Sequence, residues 1–214
     1  MDKSFKLKAS VTVEYTIPLS RFPSLFQHFL EGNPKTIDLE KLGLSLREQN
    51  FEHSQISDFV KGVCEWGGDY RGIAKQVLRK NTLDRIANAL QNATTELSKA
   101  EPDFGKALQM IDDLKGLGVS FGSKHLRFLF PDKCPVLDSR ISNRLFYSSD
   151  CSGYNQFVRD CNMIVSALEG IDNLVPERKG KWYVADVEAS LYTYLKKEPS
   201  STDVKIICSC PTTQ

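Results

Sequence analysis

The chain has 214 residues, 41% hydrophobic and 26% charged, with 28 Lys+Arg against 27 Asp+Glu. These values fit one soluble globular domain and exclude a polybasic protein that coats nucleic acid, but not a local basic site. No apolar run approaches the ~18 residues of a membrane span, and Met1 to Lys6 lack the apolar stretch of a signal peptide.

Residues 5–15 alternate, with Phe5, Leu7, Ala9, Val11, Val13 and Tyr15 on one side, so a half-buried strand or extended arm is expected. After Pro18 the pattern turns helical. Ser20 is placed to cap a helix carrying Phe22, Leu25, Phe26, Phe29 and Leu30, which ends at Gly32-Asn33-Pro34. Further helices are predicted at about 37–49, after His53-Ser54 to Gly67-Gly68, and at about 70–79. Thr82 caps one to about 99, and Pro102-Asp103 opens another carrying Phe104, Ala107, Leu108, Ile111 and Leu114. Beyond Gly116-Leu117-Gly118 come helices at about 119–130, from Asp138 to about Tyr147, at 153–169, and from Ala185 to about Lys196. Residues 198–214 are a Pro/Ser/Thr-rich tail around a β-like Val204–Cys208. The class is mainly α, with a small β element made from the two termini.

The six cysteines (Cys64, Cys134, Cys151, Cys161, Cys208, Cys210) form no CxxC pair and no Cys/His zinc pattern. Reduced thiols in a cytoplasm are expected, with no metal and no cofactor. Cys208-Ser209-Cys210 has the donors for a soft metal, but a plain tail is the simpler reading.

The chemistry-bearing stretch runs from Lys115 to Arg144, where six basic residues face only Asp132 and Asp138. One helix ends in a tight glycine turn and another begins at once. Gly116 and Gly118 permit close approach, and the first amides of the new helix present the positive end of its dipole to a phosphate. A Gly-x-Gly turn is also a common plain connection, and the charge is also compatible with a solvated face.

Lys115-Gly116-Leu117-Gly118-Val119-Ser120-Phe121-Gly122-Ser123-Lys124-His125-Leu126-Arg127-Phe128-Leu129, followed by Pro135-Val136-Leu137-Asp138-Ser139-Arg140, resembles the helix–hairpin–helix and Pro-Val-x-Asp stretch of base-excision DNA glycosylases. It is most similar to a bacterial group of 8-oxoguanine DNA glycosylase-like proteins. Phe59–Gly68 and Trp182–Glu188 resemble the same group, so the likeness spans roughly 51–195. It implies a helix–hairpin–helix glycosylase-like domain over 51–197, with 1–50 an N-terminal extension packed on it and 198–214 a tail. The implied partner is double-stranded DNA with a damaged base, bound by a monomer that is cytoplasmic and nucleoid-associated, with no membrane involved. The implied reaction is extrusion of an oxidised purine and cleavage of its N-glycosidic bond.

The resemblance implies that Asp138 stabilises charge on the sugar, and in the bifunctional branch a lysine attacks C1′ as a Schiff-base nucleophile and AP lyase. That lysine ordinarily stands two residues after the second hairpin glycine. Here the position is Ser120, 18 residues before Asp138, and Lys124 lies one turn further on. Helical side chains tilt toward the N-terminus, so Lys124 can reach back to the same pocket. Three alternatives stay open: Asp138 working alone, Lys124 as a phosphate holder, and a non-catalytic helix–hairpin–helix DNA-binding module. A helical interaction protein without DNA binding is a further rival.

Candidate DNA contacts are Lys115, Gly116, Gly118, Ser120, Ser123, Arg127, Arg140 and Arg144, the two last sharing a helix face that is equally well solvated charge. Candidate base-pocket residues are Trp66, Phe121, Phe128, Trp182 and Asp186. Core filling is the plainer role for the tryptophans. A helix cap is the plainer role for Asp138 and Asp186.

Overall fold

The computed structural model describes residues 4–6, 16–69 and 71–197. Ten α-helices dominate them: α1 Phe22–Gly32, α2 Thr36–Glu48, α3 His53–Trp66, α4 Ile73–Lys80, α5 Leu83–Leu97, α6 Phe104–Asp112, α7 Val119–Leu129, α8 Ser139–Leu145, α9 Cys151–Ala167 and α10 Val184–Lys197. None of them is long and apolar enough to cross a membrane.

The β element differs from expectation. Strands β1 (Ser4–Lys6) and β2 (Thr16–Pro18) pair antiparallel, with Phe5 opposite Ile17, so both come from the N-terminal end. The β-like residues 204–208 and the tail lie outside the described residues, as do residues 7–15 of the alternating segment. Ser20 is also not the cap of α1. It sits in a 3-10 turn, Leu19–Arg21, and α1 starts at Phe22 with Pro23 in its first turn, where a missing N–H costs nothing.

Other starts follow the sequence. Thr82 Oγ1 accepts from the Arg85 amide at 3.2 Å and Asp103 Oδ1 from the Lys106 amide at 3.0 Å. α9 begins two residues earlier than its periodicity suggests because Asp150 Oδ1 accepts from the Gly153 amide at 2.8 Å. Asp69, just ahead of α4, accepts from the Ile73 and Ala74 amides.

One hydrophobic cluster runs through all of these helices, so residue 50 separates no second core. Phe22, Phe26 and Phe29 face α10 from α1, and α2 lies on α7 and α3. The α2–α7 approach requires Gly43: a Cβ there would meet the Phe128 carbonyl oxygen at 2.0 Å. Each fully buried Phe or Leu contributes roughly 1.5–3 kcal/mol.

A buried ionic chain locks the N-terminal helices to the rest. Arg178 donates from Nε and NH2 to the two carboxylate oxygens of Asp186, both at 2.7 Å. Its NH1 lies 2.8 Å from Glu40 Oε2 and its NH2 donates to Glu40 Oε1 at 2.9 Å. Arg127 NH1 stands 2.9 Å from the same Oε1, a charge contact without hydrogen-bond alignment. Two guanidiniums and two carboxylates thus neutralise one another where an unpaired charge would cost several kcal/mol.

Candidate active site

The hairpin is built from its flanks. α6 ends at Asp112, Leu117 N donates to Leu114 O at 3.1 Å, and Gly116 takes φ +102°, a conformation that favours glycine. Asn81 clamps the turn: its amide donates to Lys115 O at 2.9 Å and accepts from Lys115 N at 3.1 Å. Arg85 NH2 adds a bond to Asp113 O at 3.0 Å. Lys115, Gly116 and Gly118 are exposed, and Gly118 gives α7 no side-chain cap, so the first amides of that helix face outward.

Lys124 points back along α7. Its Nζ donates to Ser120 Oγ at 2.9 Å and lies 4.6 Å from the centre of the Phe121 ring, with the residue only 6% exposed. Gly67 at the end of α3 makes room for it, since a Cβ there would meet Lys124 Cδ at 2.8 Å and Phe121 Cε1 at 2.9 Å. Burial pushes the amine below its ordinary range, against the opposing pull of Asp138, Glu188 and Cys64.

Asp138 arrives from the other side of the cleft. The Ser123 hydroxyl donates to Ser120 O at 3.0 Å and accepts from Leu137 N at 3.0 Å, pinning the extended Pro135–Leu137 segment to α7. Asp138 Oδ1 then caps α8, accepting from the Arg140 and Ile141 amides at 3.0 Å each. Lys124 and Asp138 line one cleft of about 380 Å³, together with Phe29, Asn33, Trp66, Gly67, Val136, Tyr192 and a third charged residue, Glu188 of α10. Glu188 is buried, and burial, the largest effect, together with Asp138 pushes its carboxyl up to about 8.

The cleft opens past Asp138 and Tyr192 into a groove of about 960 Å³ that includes Arg140, Asn143, Arg144 and Lys196. Arg140 lies over the Tyr192 ring at 4.9 Å, and Arg144 NH2 donates to Leu195 O at 3.0 Å. A cationic groove therefore adjoins the lysine cleft.

Five expected site residues sit elsewhere. Ser123 is fully buried and acts as the stitch just described, so it is not exposed for DNA contact. Arg127 is also fully buried, stacked 4.5 Å from the Phe128 ring and paired with Glu40. Phe128 packs edge-on against Trp66 in the core at 4.9 Å and does not line the cleft. Trp182 lies in the core against Phe22 and Phe26, its Nε1 donating to Ile171 O at 2.7 Å. Asp186 is fully buried and held by Arg178 and by Asn173, and it accepts from Tyr183 N at 3.1 Å, the reaching-back half of a capping box. The basic run from Lys115 to Arg144 is thus split. Lys124 and Arg127 are inside, Lys133 Nζ donates to Leu97 O at 3.0 Å, Lys115 and Arg140 are exposed, and Arg144 is half-buried.

Trp66 lines the cleft with its Nε1 donating to Thr36 Oγ1 at 2.9 Å, and Phe121 and Ser120 lie against the Lys124 amine. Glu188, Asn33, Phe29 and Tyr192 are additions from the structure. Glu188 carries one legible signal: it stands four residues after Val184 and three before Leu191, in the buried register of α10. Among the described residues no group of three or more His, Cys, Asp or Glu is arranged to hold a metal ion. Comparison of the chain with protein-family models, curated protein sequences and solved structures finds no match.

Proposed function

We propose that the protein is a DNA base-excision glycosylase that removes an oxidised purine and cleaves the strand through a Schiff base on Lys124. The observation that carries this reading is the buried Lys124 amine turned back onto Ser120 Oγ in the cleft that also holds Asp138. Ser120 is the root at which the resembled enzymes carry their lysine, so the amine serves the same pocket from one turn further on.

In this reading the hairpin amides and Lys115 hold a phosphate beside the lesion, and Arg140 and Arg144 hold the flanking backbone. The extruded nucleotide enters between Trp66 and Tyr192. The Lys124 amine attacks C1′ as the base departs, and Asp138 stabilises the positive charge developing on the sugar. Burial favours the free amine that this attack requires. Oxidised purine as the lesion class rests on the resemblance alone.

The test is borohydride trapping on duplex DNA containing 8-oxoguanine. The expected result is a covalent adduct with the wild type and none with Lys124→Ala. Undiminished trapping by Lys124→Ala would refute the role of that lysine. Asp138→Asn keeps a side chain able to cap α8 while deleting the charge, and should slow excision by about 10²–10³-fold. Salt-dependent DNA binding without base release from any lesion would instead favour the non-catalytic module.

A further inference from the structure

Glu188 has no part in the reaction just described, yet it stands in the same cleft. It is 2% exposed, and its Oε2 has no hydrogen-bond partner among the described residues. A buried polar atom left without a partner is costly and is rarely kept without use. The other candidates for a base are occupied or unsuited. Asp138 Oδ1 is engaged by two amides as the cap of α8, and Ser120 Oγ, which accepts from Lys124, is a hydroxyl and too weak a base.

Resting on the glycosylase reading, we propose that Glu188 is the acid of this cleft: at rest it holds the proton while the Lys124 amine is free, and it delivers that proton to the departing base. The energetic reason is symmetrical. A buried ammonium and a buried carboxylate are both penalised by desolvation, and moving one proton from nitrogen to oxygen neutralises both. The groups facing Glu188 are Lys124 and Arg127 of α7, Asp138 at the start of α8, and Tyr154 and Cys161 of α9, with the Val136 amide. Arg127, Lys124 and the Val136 amide favour the carboxylate, whereas burial and Asp138 outweigh them and favour the acid.

The steps balance. At rest the proton is on Glu188, and burial leaves the Lys124 amine free. The amine lone pair then forms the C1′–N bond while the glycosidic electron pair leaves with the base. Glu188 gives its proton to that base, which departs neutral. The new secondary ammonium passes its extra proton to O4′ as the C1′–O4′ bond breaks and the nitrogen lone pair forms the C1′=N bond of the Schiff base.

The experiment uses two duplexes of one sequence, one with an intact 8-oxoguanine nucleotide and one with a preformed abasic site. Only the first has a base to protonate; both need the free amine. Glu188→Gln should lower excision by about 10²-fold or more, the usual range for a positioned acid. Its borohydride trapping on the abasic site should stay within about threefold of wild type, which also shows that the variant is folded. Wild-type excision should fall as pH rises through about 8, and this alkaline limb should vanish in Glu188→Gln. Unchanged excision by Glu188→Gln would overturn the proposal, and so would equal losses on both duplexes, which would make Glu188 a support of the site only. A wild type that neither releases base nor is trapped on the abasic site would fell the glycosylase reading itself, and the proposal with it.

Discussion

Replacing Glu188 by Gln should make the fold more stable at neutral and alkaline pH, whatever the protein acts on. Burial raises the carboxyl from the ordinary 4.5 to about 8 in the folded chain. Between those values the folded chain holds a proton that the unfolded chain has released. Stability from this group is therefore complete below about pH 4.5 and is lost as pH rises through 8. The full loss is on the order of 5 kcal/mol, at about 1.36 kcal/mol per tenfold change in proton affinity. That is a large share of the roughly 5–15 kcal/mol by which domains are stable. Glutamine has no proton to lose, so the variant should lack this slope. Urea denaturation of both proteins between about pH 5 and 8.5 measures it as a difference curve, in which groups common to both cancel. Parallel stability curves would refute the reasoning, because they would mean that Glu188 binds its proton no more tightly folded than unfolded.

Gly67→Ala should misplace Lys124 without breaking the fold: the new Cβ meets side-chain atoms of Lys124 and Phe121 at a backbone φ of −74°, where alanine is unstrained. Borohydride trapping should fall by about 10²-fold while thermal unfolding shows an overpacking cost of about 1–3 kcal/mol or less. Glu40→Gln removes the carboxylate that Arg127 and Arg178 share, leaving Asp186 to Arg178, and should cost about 3–5 kcal/mol, read as a drop of about 2–4 °C in Tm for each kcal/mol. Asn81→Ala removes both bonds to the Lys115 backbone and should cost about 1–3 kcal/mol, with faster hydrogen exchange at the Lys115 amide. Glu96 is held down to about 2 by its bond to Lys99, with Lys106 adding to the effect. Its contribution is present above about pH 4.5 and is lost as pH falls toward 2, so Glu96→Gln should flatten that part of the acid-denaturation curve.

The helices were legible because their signals are local. Apolar residues at three- and four-residue spacing mark the buried faces of α1 and α6, and Thr82 and Asp103 mark two starts that the structure repeats. Ser20 misled because the chain needs one 3-10 turn to bring Leu19 into the core before Phe22, and no local pattern encodes that. What ties residues 1–50 to the rest of the molecule is long-range. Glu40 looks like one more surface charge until Arg127 and Arg178, 87 and 138 residues further on, are brought to it.

The same distinction sorts the candidate site. Lys124 reaching Ser120 is an i, i+4 relation on one helix and could be read from spacing. Arg127 carries the same sort of signal but lies fully buried beside Glu40. A basic residue three positions after another suggests a charged face, but α7 is enclosed from Gly122 onward, so its lower face holds core and ion pairs. Glu188 required two facts together: a carboxylate in the buried register of α10, and a lysine 64 residues earlier in the chain that shares its cleft. Each alone reads as a defect. A buried carboxylate without a partner weakens the fold at neutral pH, and a buried lysine is disfavoured as a cation. Brought into one cleft they relieve each other by passing a proton. The price in stability and the readiness for chemistry are then one property, which is why Glu188→Gln should lose both the stability slope below about pH 8 and the alkaline limb of excision above it.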